Sequence, residues 1–343
     1  MISKIKILPI SEDLYSSYYK LVIGTQWGNP MLPLEYNNKL WGDVIFQNDE
    51  IIGGWVGTIR GDLPVVRLIT KSVYFDSYPI FKSKTIEEQY LPTFISNIRN
   101  HAEKDGIVML NLTHWVRGSQ VLKLDVVSHN ATFYCDLSQT YDELYKRLDR
   151  LKKRCIRKAE ESNLDTQFYY KEEAIPHIPE FLKLRELTQK RAIQNNKNAS
   201  MLLKSQAFFE DLFKNNETTL VTIRVDGLMV AAATFIQGGN TIYAHMSGSI
   251  AEYNKSTGAG TYYYWAAMQY FKEKSIRFYD FGGAPYNPAE DDPAYGVYTF
   301  KKGFGAEYYT GIVGKIIISK LKFNLLNFAL SQRKLLRFIS NKI

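Results

Sequence analysis

Arg277-Phe278-Tyr279-Asp280-Phe281-Gly282-Gly283 closes a strand that apolar spacing predicts over Ile276–Phe281. A proline-rich acidic loop comes next, from Ala284-Pro285 to Asp291-Asp292-Pro293. The chain then reads Val297-Tyr298-Thr299-Phe300-Lys301-Lys302-Gly303-Phe304-Gly305-Ala306-Glu307, expected as an extended segment turning into a final strand. In open α/β folds, ligands gather at the carboxyl ends of strands. The stretch 280–307 is therefore where reacting groups are expected.

Upstream of this stretch, Leu220–Val225 and Leu228–Ile236 flank Asp226-Gly227, a two-residue hairpin signal. Gly238-Gly239-Asn240 turns the chain into a strand over Thr241–Ser247, and a helix is predicted from about Gly260 to Lys274. The first half repeats this order of hairpin, strand, helix and strand. Val44–Phe46 and Ile51-Ile52 flank the turn Gln47–Glu50, and a third strand is expected near Val65–Ile69. A helix over Glu87–Lys104 ends at Asp105-Gly106, and Val108–Leu112 is the closing strand. The halves share architecture without a residue-level repeat.

Between them lies a strong helix signal, Thr140 to Asn163. Thr140-Tyr141-Asp142-Glu143 forms a capping box, and Leu144, Leu148, Leu151, Cys155 and Ala159 form an apolar stripe. Arg150, Lys152, Lys153, Arg154 and Arg157 are assigned to a basic face. After Glu307 no acidic residue occurs, and the tail spaces Leu321, Leu325, Phe328, Leu335 and Ile339 as an amphipathic basic helix.

The 343 residues suggest two domains, and the formal net charge of +8 favours polyanionic partners: RNA, a phosphorylated substrate or an anionic membrane. Two cysteines make no disulfide framework, and neither a Cys-x-x-Cys nor a zinc-spaced His/Cys cluster is present, so no metal is expected. Without a signal-peptide core or ~18 consecutive apolar residues, the expected compartment is the cytoplasm.

Lys255-Ser256-Thr257-Gly258-Ala259-Gly260 stands between a strand and a helix, where glycines can turn amides toward an anion. It resembles the loop by which GNAT enzymes hold the coenzyme A pyrophosphate, which makes Lys255, Gly258 and Gly260 donor-binding candidates. Tyr279-Asp280-Phe281-Gly282-Gly283, the loop, Phe300-Lys301-Lys302-Gly303-Phe304-Gly305 and Ile156-Arg157-Lys158-Ala159 together resemble the FemABX family of peptidoglycan aminoacyltransferases. The resemblance covers about residues 140 to 311, and the chain lacks an inserted coiled-coil arm.

That resemblance implies an α+β fold of two tandem GNAT-like domains, each a mixed, largely antiparallel sheet flanked by helices. The expected domains are 1–139, joined by 315–343, and 140–314. It also implies attack by an amine on an activated carbonyl, with Lys301 stabilising developing negative charge, Phe300 packing on the donor and Asp280 as base or loop-ordering group. Lys39, Lys204, Phe208, Gly282 and Gly283 become substrate-side candidates. Lys204 and Phe208 stand where many family members carry Arg and Tyr. Arg150, Lys153, Arg154 and Arg157 become candidates for the phosphates of a donor RNA.

The expected function is aminoacyl transfer from aminoacyl-tRNA to an amine of a peptidoglycan precursor, soluble or lipid-linked. One alternative is N-acyl transfer from acyl-CoA to an amino sugar or other small amine. The other is an RNA- or membrane-binding protein on a degenerate transferase fold. No tightly bound cofactor is expected, only aminoacyl-tRNA or acyl-CoA as co-substrate. Peripheral contact with the inner face of the cell membrane is expected through 315–343.

Overall fold

A computed structural model describes residues 5–23, 39–62, 67–113, 120–195, 203–215 and 217–340. The chain divides into two compact units, Met1–His129 with Gly311–Ile343, and Asn130–Thr310. It crosses between them within two strands, earlier than the capping box at Thr140.

The first unit begins with β1 (Ile5–Pro9), α1 (Glu12–Ile23) and the hairpin β2 (Leu40–Gln47) and β3 (Glu50–Arg60). Asn48 and Asp49 carry the hairpin turn with φ of 49° and 66°, the left-handed pair that matches strand twist. Then come α2 (Arg67–Thr70), β4 (Ser72–Phe75), β5 (Ile80–Phe81), α3 (Lys84–Lys104) and β6 (Met109–Leu112). The strand expected at Val65–Ile69 is misplaced: Arg67–Thr70 is helical and the strand starts at Ser72, while Val65 and Val66 lie outside the described residues. β1 to β4 pair antiparallel in sequence, and β4 pairs parallel with β6 across α3. Helix α3 starts on its Ser83 cap and buries Leu91, Phe94, Ile98 and Ala102 against the sheet.

The second unit takes in most of β7 (Val126–Asp136), then α4 (Tyr141–Arg147), α5 (Arg150–Glu161) and β8 (Asp165–Tyr170). A 3-10 segment, Lys171–His177, leads to α6 (Ile178–Asn195) and α7 (Gln206–Asn215). The hairpin β9 (Thr218–Val225) and β10 (Leu228–Gly238) turns at Asp226-Gly227, with φ of 49° and 80°. β11 (Thr241–Ser249), α8 (Ala251–Thr257), α9 (Ala259–Glu273), β12 (Phe278–Ala284) and α10 (Tyr295–Lys302) complete it. β8 to β11 pair antiparallel, β11 and β12 parallel, and β12 and β7 antiparallel. Each unit is thus a mixed, largely antiparallel sheet with one strand–helix–strand parallel pair. β13 (Glu307–Ile317) and α11 (Lys320–Ser340) return the chain to the first unit, where Gly314–Ile317 pairs with β6.

The helix predicted over 140–163 is two helices. Its capping box at Thr140 forms, but Leu148 leaves helical geometry and Asp149 caps a new helix, accepting from the Lys152 amide at 2.7 Å. The break shifts the phase of α5 relative to α4. Leu151 becomes exposed, and Lys152, Ile156 and Ala159 face inward in place of Leu151 and Cys155. Phe300 and Lys301 are likewise not extended; they lie in the last turn of α10.

Candidate active site

β11 and β12 pair only from Thr241 to Tyr243, against Phe278 to Asp280. Beyond that the strands part, and a cavity of about 200 Å³ opens between their ends. Tyr243 to Ser247 line one side and Phe281, Gly282 and Gly283 the other, with Arg185 of α6, Tyr264 of α9 and Lys301 of α10. All belong to the second unit. The parting has a local cause. The register of β12 against β7 shifts between Asp280 and Gly283, and Gly282 adopts φ of 73°. A Cβ at Gly282 would stand 2.6 Å from the Ala244 carbonyl oxygen, so only glycine lets the two backbones approach there.

Asp280 and Lys301 are each only 8% exposed. The Asp280 carboxylate accepts from the Gly282 amide at 2.7 Å and from the Thr132 hydroxyl. It thereby ties the bulge to β7. Lys301 Nζ donates to the carbonyls of Gly282 at 2.9 Å and Gly283 at 2.7 Å. An ammonium has three donors, so one remains for a ligand in the cavity that Lys301 lines. Burial pushes the Lys301 ammonium below the usual lysine range, partly offset by the Asp280 charge. Burial pushes Asp280 above the usual carboxylate range, opposed by the Thr132 and Gly282 bonds and by Lys301.

Phe300 packs on Tyr264, with ring centroids 5.5 Å apart, and lies under a second buried ammonium. Lys152 Nζ sits 3.7 Å from the centre of the Phe300 ring and 5.0 Å from that of Phe304. Lys152 is 3% exposed, and burial lowers its pKa to about 8, with Asp149 opposing. An unbroken helix would put Leu151 inward and leave Lys152 on the solvated basic face. Four-residue spacing from Leu148 to Lys152 to Ile156 is the signal that finds its burial.

Behind His245, which lines the cavity, the Phe208 ring centre stands 6.4 Å from that of His245, and Lys204 Nζ lies 4.4 Å from the centre of the Phe208 ring. His245 is held neutral: burial first, then the Arg185 and Lys204 charges, push its pKa down to about 3. A base that weak does little general-base work near neutral pH. Arg185 is buried and donates to the Ser247 carbonyl at 2.9 Å. Arg185, Tyr243, His245, Ser247 and Tyr264 carry no local sequence mark as site residues.

The structure therefore places Gly282, Gly283 and Lys301 in the cavity lining, Asp280 and Phe300 behind it against Gly282 and Tyr264, and Lys204 and Phe208 near His245. It does not gather the rest. Lys39 is exposed in the first unit. Gly258 ends α8 and starts α9 with φ of 76°, and a Cβ there would meet the Cys155 carbonyl oxygen at 2.3 Å. A Cβ at Gly260 would meet the Asn254 side chain at 2.4 Å, and the Lys255 carbonyl accepts from Lys158 Nζ at 2.7 Å. This loop serves the contact of α5 with α8 and α9. Arg150, Arg154 and Arg157 are exposed on α5, and the half-buried Lys153 donates to the Lys146 carbonyl at 2.9 Å. Among the described residues no group of three or more His, Cys, Asp or Glu is placed to hold a metal ion.

Residues 146–302 match the acetyltransferase (GNAT) domain family. A lipid II:glycine glycyltransferase of Staphylococcus saprophyticus is 29% identical over 125 residues, 36% of this chain. The match spans only 29% of that relative's length. A crystal structure of FemX superposes with a TM-score of 0.75 at 13% identity, covering 93% of this chain and 99% of that one. A tandem GNAT protein from the clavulanic acid pathway superposes at 0.53 with 11% identity, covering 92% and 99%. The L-PGS of Bacillus licheniformis superposes at 0.53 with 13% identity, covering 90% of each chain. At these identities the structures speak for the fold: tandem GNAT-like units of the acyltransferase type. With the glycyltransferase match, they bear out the resemblance to the FemABX family.

Proposed function

We propose that this acyltransferase of FemABX resemblance moves an aminoacyl group from aminoacyl-tRNA to an amine of a cell-wall precursor. The observation that carries the proposal is the buried Lys301 ammonium, fixed on two strand-end carbonyls at the mouth of the parted strands. The amine nitrogen attacks the ester carbonyl, the carbonyl oxygen gains negative charge, and the carbon–oxygen bond to the ribose then breaks. The proton lost by the amine ends on the ribose oxygen. Both oxygens carry charge only while the bonds change, so a preset ammonium favours the transition state over the ground state. The glycyltransferase match supports the acceptor class. The GNAT domain match favours a second donor, acyl-CoA. Against it stands the packing of Gly258 and Gly260, which leaves the expected pyrophosphate loop with another task. Incubation with charged tRNA and, separately, with acetyl-CoA and an amine acceptor separates the two. Loss of the acyl group from tRNA alone is expected; loss from acetyl-CoA alone overturns the donor.

An RNA donor has a second consequence. Arg150, Arg154 and Arg157 form an exposed cationic face on α5. Each phosphate neutralised on single-stranded RNA contributes about 0.7 to the slope of log affinity against log salt. Replacing all three by Gln is expected to flatten the tRNA slope by about 2. An unchanged slope removes α5 from the RNA site.

The pH profile depends on Lys301. The ammonium is the working form, and burial lowers its pKa. The contribution of Lys301 is therefore fully present below that lowered value and is lost as pH rises through it, which puts the alkaline limb of activity below the ordinary lysine range. Asp280, raised by burial, must stay ionised to hold the Gly282 amide, so a second loss is expected as pH falls through the raised carboxylate value. A kcat profile flat up to the ordinary lysine range contradicts the role given to Lys301.

A further inference from the structure

Helix α11 presents an apolar stripe to the outside. Leu321 is 73% exposed and Phe328 64%, with Leu325 exposed between them. Positions i, i+4 and i+7 share one face of a helix, so the three form a continuous ridge. The opposite face is the one that docks: Phe323 and Leu326 are half-buried, and Lys315 Nζ lies 5.5 Å from the centre of the Phe323 ring. α2 packs against α11 and leaves Arg67 and Leu68 exposed, the latter by 69%. In sequence, Leu335 and Ile339 continue the spacing of the ridge. An apolar helical ridge turned away from its own protein needs something else to cover it.

Charge indicates what. From Gly314 to the end the chain carries seven cations, Lys315, Lys320, Lys322, Arg333, Lys334, Arg337 and Lys342, and no acid. A second copy of the chain would bring the same cations against these and repel. An anionic surface would attract them while its acyl layer takes the ridge. Among the described residues no helix is long and apolar enough to cross a membrane, so the fitting geometry is a helix lying in the interface. We propose that α11 seats the protein on an anionic lipid bilayer, with Leu321, Leu325 and Phe328 in the headgroup–acyl boundary and the flanking lysines on the headgroups. Resting on the function proposed above, this face brings the transferase to a lipid-linked acceptor.

The test uses the full chain and vesicles of phosphatidylcholine, with or without phosphatidylglycerol. Co-sedimentation is expected with the anionic vesicles only and is expected to weaken with salt. Leu325→Gln with Phe328→Gln should weaken it at least about tenfold through lost apolar burial. Lys320→Gln with Lys322→Gln should weaken it by roughly tenfold or more through lost surface attraction. Equal binding to neutral vesicles, or unchanged binding by the Leu325/Phe328 variant, overturns the proposal. So does a wild-type dimer in sedimentation velocity that this variant splits, because a second copy would then cover the ridge. The Leu325/Phe328 variant should also lose transfer to an acceptor embedded in vesicles while keeping transfer to a water-soluble acceptor with the same amine. Wild-type protein that binds vesicles but transfers to neither acceptor leaves the membrane surface standing and sinks the function.

Discussion

Lys301→Met is expected to lower kcat by ~10²–10³-fold, the usual loss when one preset donor to a developing oxyanion is removed. Methionine keeps most of the side-chain volume, so the packing of α10 against β12 is largely retained. The charge disappears, and with it the two bonds to the Gly282 and Gly283 carbonyls. Asp280 keeps its bonds to Thr132 and to the Gly282 amide, so the bulge that parts β11 from β12 has an anchor that does not depend on Lys301. An interaction made only in the transition state lowers kcat and kcat/KM together, whereas uniform binding raises KM at constant kcat. Lys302 is the control. It is exposed, with Nζ 5.7 Å from the centre of the Tyr298 ring, and Lys302→Met should retain near-full turnover. The reverse result moves the role by one residue, and full activity in both variants removes the catalytic role from the stretch.

Gly258→Ala is expected to cost about 2–5 kcal/mol of stability. A left-handed conformation costs an L-residue about 1–2 kcal/mol, and a forced overlap in a packed contact costs about 1–3 more. Both apply, since φ is 76° and the new Cβ would stand 2.3 Å from the Cys155 carbonyl oxygen. That atom belongs to the backbone of α5, so relief requires moving a helix rather than turning a side chain. Gly283→Ala is the matched comparison. A Cβ there meets nothing within 4 Å, so its effect on stability should stay within about 0.5 kcal/mol. Denaturant melts of the two variants check this. A Gly258→Ala protein that melts like the wild type yet loses affinity for acyl-CoA would restore the anion-cradle reading of 255–260.

The elements legible in the sequence are those with local chemical punctuation. Asp226-Gly227 and the turn at Asn48-Asp49 take left-handed conformations that few residue pairs accept, so both hairpins are visible. The Thr140 capping box and the stop at Asp105-Gly106 are visible for similar reasons. The helix break at Leu148-Asp149 is not. Asp149 reads as one more polar residue on a helix until the Gly303 carbonyl that accepts from its amide, at 2.8 Å, is in place. That single break hides the burial of Lys152. Lys301, Phe300 and Asp280 stand out through a family resemblance; Lys301 lines the cavity, while Asp280 and Phe300 hold lining residues from behind, through the Gly282 amide and the Tyr264 ring. The opposite wall is silent in the sequence. Arg185, His245 and Tyr264 come from α6, β11 and α9, and only the parting of two strands makes them neighbours.

The most direct measurement of the central claim is the mass of the acceptor after incubation with charged tRNA and enzyme. A cell-wall precursor bearing a free amine is predicted to gain one aminoacyl residue through an amide at that nitrogen, with wild-type protein and with Lys302→Met. With Lys301→Met the rate of gain should fall by ~10²–10³-fold. A precursor whose mass stays unchanged with wild-type enzyme, while acetyl-CoA acylates the same amine, would contradict the claim.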